Sequence, residues 1–376
     1  MTRKLLGCGP VLAEGWSSAR YSVPLTPSPS PQPRRFAYAA PHQRHQLVYL
    51  MADSLGLVER YAVKDGAFFK FAQRVEALYD ATNPYHNYYH AVDVAHATFN
   101  FLSWTHSSEW LEQLEQLAVL LAALGHDVAH PGRNNAFMVR TEHEVALKYN
   151  DRSPLENMHA ATFFDVLRRD ECNILKALEA DETSSIRGLI ISAILGTDMI
   201  HHFNQVADMN VFFQAYGEQG AAFDAAAQGA GSLPEFVADP GTRQFWLDML
   251  LHAADISNPA KDFAICRKWS DRIMEEFFAQ GDAERGAGLA VSAMMDEATV
   301  NVSVMQMNFA EFVVAPLFAG LTAIFPAFEA ASRNLVANQR SWAGMRMKEL
   351  QDEKGGEEEM RKLQKRAAGL DAKLKL

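Results

Sequence analysis

LAVLLAALGHDVAHPG, residues 117–132, is an apolar run that ends in two ionisable side chains. Nothing polar interrupts Leu117 to Gly125, so the segment reads as a helix buried on all sides, and Pro131 and Gly132 then break it. His126 and Asp127 therefore stand at the end of a buried element. A second stretch, FWLDMLLHAADISNP at 245–259, delivers Asp255 in the same way and contains no Lys or Arg. Burying an ionised carboxylate without a partner is strongly unfavourable, and coordination to a divalent cation compensates the lost hydration. Metal is the more economical partner here.

Upstream, YHNYYHAVDV at 85–94 places His86, His90 and Asp93 on one face if the stretch is helical. Eight of the 13 histidines fall between positions 86 and 159, a clustering that needs a cause. His96, His106 and His143 read as ordinary hydrogen-bonded residues, and Asp93 reads as a tie between its helix and a neighbour. His90, His126, Asp127 and Asp255 together make two imidazoles and two carboxylates. That donor set suits Zn²⁺ with coordination left for water. If Asp127 bridges outward, a second cation with mostly water ligands would be Mg²⁺ or Mn²⁺. Two such metals are the usual means of cleaving phosphate esters.

The rest of the chain sets the frame. A chain of 376 residues, 48% hydrophobic, can build a sizeable core. Its net charge of −11 argues against broad contact with nucleic acid. Cys8, Cys172 and Cys266 are far apart and form no CxxC pair, which fits a reducing, cytoplasmic setting without disulfides. No run of eighteen apolar residues occurs, so no transmembrane helix is expected. Prolines at 24, 27, 29, 31 and 33 mark residues 1–42 as a flexible Pro/Ser-rich extension. Residues 43–343 read as one all-α domain, a compact bundle of many helices, interrupted at 216–240 by a Gly- and Ala-rich loop with a short helix. Residues 344–376 read as a charged helical tail. There Met360, Leu363, Ala367, Leu370 and Leu374 keep a three-four spacing that permits a homodimer through a helix pair.

YHNYYHAVDV, GHDVAHPGRNN, YNDRSPLEN at 149–157, ILGTDM at 194–199, HAADISNP at 252–259 and QMNFAEFVVAPLF at 306–318 occur in an order and spacing that resemble the class I 3′,5′-cyclic-nucleotide phosphodiesterases. The resemblance spans roughly residues 50–330. It implies a helical bundle with a binuclear metal pocket at the helix junction, and hydrolysis of the 3′ phosphoester bond to a 5′-nucleoside monophosphate. On this likeness His90, His126, Asp127 and Asp255 hold the tighter metal, Asp127 bridges to the second, and a hydroxide between them attacks phosphorus. His86 then protonates the departing 3′ oxygen, one helical turn from His90, with Glu276 favouring its protonated form. His130, Glu156, His159 and Thr197 support the metals and their waters. Tyr85, Asn258, Ile273, Gln306 and Phe309 form the substrate pocket, with Ile273 and Phe309 sandwiching the purine while the Gln306 amide reads its edge. That amide pairs with adenine or, flipped, guanine, and Asn258 matches a position that is often Asn in cAMP-selective members, tilting the reading towards cAMP. Two positions depart from the pattern: Met158 stands where a histidine is frequent and Cys266 where an aromatic is. Two other readings remain open, a His-Asp phosphohydrolase acting on a non-cyclic nucleotide and an inactive cyclic-nucleotide-binding scaffold.

Overall fold

Every residue from Leu117 to Gly125 is buried, and around this helix the remaining elements are arranged. The computed structural model describes residues 41–216, 237, 239–352 and 356–374. The expected extension at 1–42, but for its last two residues, and most of the expected loop at 216–240 lie outside them. Within the described residues the fold is all-α and contains no strand.

The helices are α1 (Pro41–Ser54), α2 (Leu57–Arg60), α3 (Asp65–Glu76), α4 (Tyr88–Trp104), α5 (Gln113–Gly125), α6 (Asn135–Arg140), α7 (Glu144–Lys148), α8 (Pro154–Leu167), α9 (Ala180–Leu195) and α10 (His202–Tyr216). After the undescribed segment come α11 (Pro240–Asp255), α12 (Phe263–Gly286), α13 (Val302–Phe309), α14 (Ala315–Ile324), α15 (Glu329–Asp352) and α16 (Glu357–Leu374). Helix α5 is wrapped by α4, α8, α9 and α11. At its end Gly125 is required sterically, because a Cβ there would stand 2.2 Å from the Phe163 ring of α8. This close approach brings the polar end of α5 into the middle of the bundle. α11 ends beside it, so both apolar runs identified in the sequence terminate at one junction.

Helices α13 and α14 are joined by a π-helical turn, Ala310–Val314. Pro316, near the start of α14, has no N–H to donate to the preceding turn, and the ladder widens there. The continuous rod Val302–Ile324 is the one stretch among the described residues long and apolar enough to cross a membrane, with 50% of its most apolar window buried. Here it packs against α10, α15 and α16 inside the bundle.

The tail is where structure and expectation part. The boundary expected after residue 343 falls inside α15, and α16 folds back on α14 and α15. Leu363 and Ala367 join Cys266, Met307, Trp342 and Leu350 in a secondary core, while Leu370 and Leu374 reach the main core. The three-four stripe expected to permit a homodimer is thus spent within its own chain. Burying four apolar side chains on one helix is worth several kcal/mol, at about 25 cal/mol per Å². Ending the chain at residue 343 should therefore lower the melting temperature by roughly 5 °C or more. An unchanged melt in differential scanning calorimetry would show that α16 adds nothing to the core.

Candidate active site and metal centre

Asn87 decides where α4 begins. Its Oδ1 accepts hydrogen bonds from the backbone N–H of Tyr89 at 2.9 Å and of His90 at 3.4 Å, an N-cap. Its Nδ2 donates back to the carbonyls of Asn83 at 2.8 Å and Pro84 at 3.1 Å. His86 therefore lies in the turn before the helix. The expected helical offset of one turn between His86 and His90 does not hold, because the cap falls between them. The turn nevertheless brings the two rings to 5.8 Å centre to centre. Asp93, one turn into α4, pairs with Lys261 at 2.5 Å and ties the helix to the start of α12.

At the end of α5, His126 donates from Nδ1 to the Ala123 carbonyl at 2.9 Å. That bond orients the ring so that Nε2 faces Asp127 Oδ2, 3.1 Å away, and Asp255 Oδ1, 3.3 Å away. Nε2 is buried. Burial acts downward on its pKa, and the two carboxylates overcome that and hold it well above the usual value, so a positive charge belongs among these groups, as a proton on Nε2 or as a cation in its place. His90 Nε2 completes the group, 3.0 Å from Asp255 Oδ1 and 3.4 Å from Asp127 Oδ2. One donor atom from each of the four residues lies within 4.8 Å of the others. A tetrahedral ion with bonds of about 2.1 Å needs donors about 3.4 Å apart. The observed separations of 3.0–3.4 Å fit a divalent cation held by His90, His126, Asp127 and Asp255.

A second group adjoins the first. Glu276, buried on α12, accepts from the backbone N–H of Tyr85 at 3.1 Å and of His86 at 3.0 Å, and its other oxygen accepts a hydrogen bond from His86 Nδ1–H. Burial would raise the Glu276 pKa, but His86 and these bonds hold it down to about 2. For His86 burial acts downward, and Glu276 with Asp127 overcomes it and lifts the imidazole to about 9. His130 stacks on His86 with ring centres 3.9 Å apart, and burial together with the charge of His86 keeps its own pKa far below the usual value. His130 Nδ1 accepts from Gly132 N at 3.0 Å.

On the far side of Asp127, Oδ1 faces His159 Nε2 at 3.8 Å, while His159 Nδ1 donates to the Val128 carbonyl at 2.7 Å. Burial lowers the His159 pKa to about 4, so it stays neutral. Glu156 accepts from Asn135 at 2.8 Å, and burial with the nearby Asp198 raises it to about 7. Thr197 spends its hydroxyl proton on the Ile194 carbonyl at 2.7 Å, leaving oxygen lone pairs free. Asp127, Glu156, Thr197 and Asp198 together give one wall of the cavity an oxygen-rich character.

The cavity measures about 980 Å³ and is lined by Tyr85, Asn258, Ile273, Gln306 and Phe309 as well as by His86, Asp127 and Asp255. Asn258 Nδ2 donates to the Tyr85 hydroxyl at 2.6 Å. Gln306, buried at the cavity wall, makes no side-chain hydrogen bond to the described residues, so no protein partner fixes which way its amide faces. The two departures from the family pattern have ordinary packing roles. Met158 packs on the Met138, Ala146 and Leu155 cluster, and Cys266 is a buried thiol lining the cavity, pushed by burial up to about 11.

Several residues of the site escaped the sequence reading. Asn83 donates to the carbonyls of His130 at 2.8 Å and His86 at 3.0 Å, binding the two stacked imidazoles' backbones together. Gly132 has φ +66°, and a Cβ there would meet Asn83 Oδ1 at 2.6 Å, so the Pro131-Gly132 break was the only available signal. Asn135 and Asp198 lie within the motifs GHDVAHPGRNN and ILGTDM but were not singled out there.

Comparison with known proteins agrees with this geometry. Residues 85–335 match the family described as 3′5′-cyclic nucleotide phosphodiesterase. A Drosophila melanogaster protein named dual specificity calcium/calmodulin-dependent 3′,5′-cyclic nucleotide phosphodiesterase 1 is 39% identical over 271 residues, 72% of this chain and 30% of its own length. The mouse protein named 1B in the same series is 36% identical over 282 residues, 75% of this chain and 49% of its own. This chain thus spans less than half the length of those curated relatives. Among solved structures, the phosphodiesterase domain of the RhoPDE fusion protein from the choanoflagellate Salpingoeca rosetta is 30% identical with a TM-score of 0.74, covering 84% of this chain and 94% of that one.

If the four-residue cluster holds a divalent ion, Asp255→Asn should weaken it at least tenfold, because a charged donor is lost. Elemental analysis of the purified variant beside the parent protein checks this, and an unchanged metal content would remove Asp255 from the ligand set.

Proposed function

The chain belongs to the 3′,5′-cyclic nucleotide phosphodiesterase family, and on that premise we propose that it hydrolyses the 3′ phosphoester bond of a 3′,5′-cyclic purine nucleotide to give the 5′-monophosphate. The observation that carries this reading is the position of His86, held by Glu276 beside the four-donor cluster and not within it. We assign Zn²⁺ to the His90, His126, Asp127, Asp255 group and Mg²⁺ or Mn²⁺ to the oxygen-rich side of Asp127. When bound, such ions would polarise the phosphate and lower the pKa of a water.

The chain's own residues then have distinct tasks. Ile273 and Phe309 take the two faces of the purine, and Gln306 meets its edge. Tyr85 and Asn258, joined by their hydrogen bond, stiffen the floor between base and phosphate. His86, its Nδ1–H fixed on Glu276, offers Nε2–H to the departing oxygen. One water is consumed: its oxygen bonds to phosphorus, the P–O3′ bond breaks, O3′ takes the His86 proton, and the proton lost by the water returns to the imidazole through solvent. The stacked neutral His130 shields the His86–Glu276 pair without competing for the proton.

On purine choice, the tilt towards cAMP based on Asn258 has little support in its contacts, since its Nδ2 is already given to Tyr85. The unrestrained Gln306 amide supports use of both purines, in keeping with relatives named as dual-specificity enzymes. The ratio of kcat/KM for cAMP to that for cGMP should lie within about tenfold, since discrimination needs a fixed donor-acceptor pattern. A ratio far outside that range would mean that the amide is held in the working enzyme. A phosphohydrolase of non-cyclic nucleotides would make no special use of the purine clamp, and cyclic and linear nucleotides assayed together separate the two readings.

His86→Ala should slow hydrolysis about 10²–10⁴-fold while metal content stays unchanged, the usual cost of losing a general acid. With a nitrophenyl phosphodiester, whose leaving group departs as an anion, the defect should shrink. Equal impairment on both substrates, or loss of metal, would mean that His86 is not the proton donor.

A further inference from the structure

The purine end of the cavity is built on a weak piece of backbone. Gln306 and Phe309 lie near the end of α13, directly before the π turn Ala310–Val314, where the helical ladder has widened. It is at this turn that the tail helix α16 attaches. Glu311, inside the π turn and with its side chain 10% exposed, accepts from Arg366 Nε at 2.8 Å and from Lys373 Nζ at 2.6 Å. The same guanidinium donates through Nη2 to Asn308 Oδ1 at 2.7 Å. Arg366 and Lys373 also lie over the ring of Phe312, 5.7 Å and 5.2 Å from its centre. Asn308 and Phe312, like Gln306 and Phe309, line the cavity.

We propose that α16 is a positioning element for the purine pocket: Arg366 and Lys373 grip Asn308 and Glu311 across the π turn and so hold Gln306 and Phe309 in place for the base. This rests on the reading that the base lies against those two residues. Arg366 and Lys373 act through Glu311 and Asn308 and do not themselves touch the nucleotide. The arginine fork suits the task, because it spans acceptors at positions 308 and 311 on successive helical turns, which an ammonium covers less well. Stability does not account for the pattern. Leu363, Ala367, Leu370 and Leu374 already anchor α16 by apolar burial, and ion pairs whose cations reach solvent add little to that. Their effect is directional, holding the one turn in this helix whose backbone hydrogen bonds run i→i+5 instead of i→i+4.

The test is steady-state kinetics of full-length Arg366→Ala and Glu311→Gln on cAMP, cGMP and a nitrophenyl phosphodiester that has no purine. KM for the cyclic nucleotides should rise about 5- to 10-fold with kcat within about twofold, and the purine-free substrate should be unaffected. Arg366→Lys should recover part of the loss. Unchanged KM in both variants, or an equal loss on purine and purine-free substrates, would overturn the proposal. Should Arg366→Ala fail to fold, Glu311→Gln, which keeps the side-chain shape, carries the same comparison. Failure of the parent chain to hydrolyse either cyclic nucleotide would refute the functional reading and the clamp together, whereas an active parent with unaltered variants refutes the clamp alone.

Discussion

Two carboxylates and two imidazoles buried at one helix junction are the constraint on which the rest of this structure depends. Asp127 and Asp255 sit at the ends of α5 and α11, largely withdrawn from water, and His126 Nε2 is directed at both of them. Without a cation or protonated imidazoles among them the two carboxylates would be strongly destabilising. The surrounding fold accepts that cost in order to bring ligands from α4, α5 and α11 together. The glycine at 125 lets α8 press against the end of α5, and the Asn87 cap aims His90 inward. The Asp93–Lys261 pair locks α4 against the chain that follows Asp255.

How much of this was legible in the sequence depends on whether the signal was periodic or solitary. The apolar runs of α5 and α11 could be read, because a helix without a polar face has nowhere to go but the interior, and their terminal carboxylates followed from that. The helical reading of YHNYYHAVDV failed at its first residues. Asn87 was in plain view, but as a capping residue it competes with the period that His86, His90 and Asp93 would share, and the cap prevailed. The tail was read as a helix with an apolar stripe, yet a stripe carries no information about whether its partner is another chain or its own.

The proposed base pocket was the least legible part. Ile273 on α12 lies far in sequence from Gln306 and Phe309 on α13, and singly each passes for core or surface. Only resemblance to a family pointed to them, and only the cavity brings them together. The roles of Asn83, Asn135 and Asp198 were illegible for a similar reason, although the last two lie within quoted motifs. Each works through one or two hydrogen bonds to residues distant in the chain, and such contacts leave no periodic trace.

The charge balance gives the site its logic. With a net charge of −11 the protein repels an anionic substrate at long range, so attraction must be local. Among the residues lining the cavity the only Lys or Arg side chains are Arg133 and Arg346. Arg346 is paired with Glu349 at 3.2 Å and Glu359 at 3.0 Å, and Arg133 donates to the Gly132 carbonyl at 2.6 Å. Neither is placed as an unencumbered phosphate ligand. On the proposed function, the positive field for a phosphodiester would come from ions held by Asp127 and Asp255, with protonated His86 beside them. The same carboxylates that would repel the substrate in an empty pocket become, once they hold cations, the reason it binds. On the proposed function, affinity for the phosphate would be tied to metal loading, and the apolar clamp and the π turn would recognise the base.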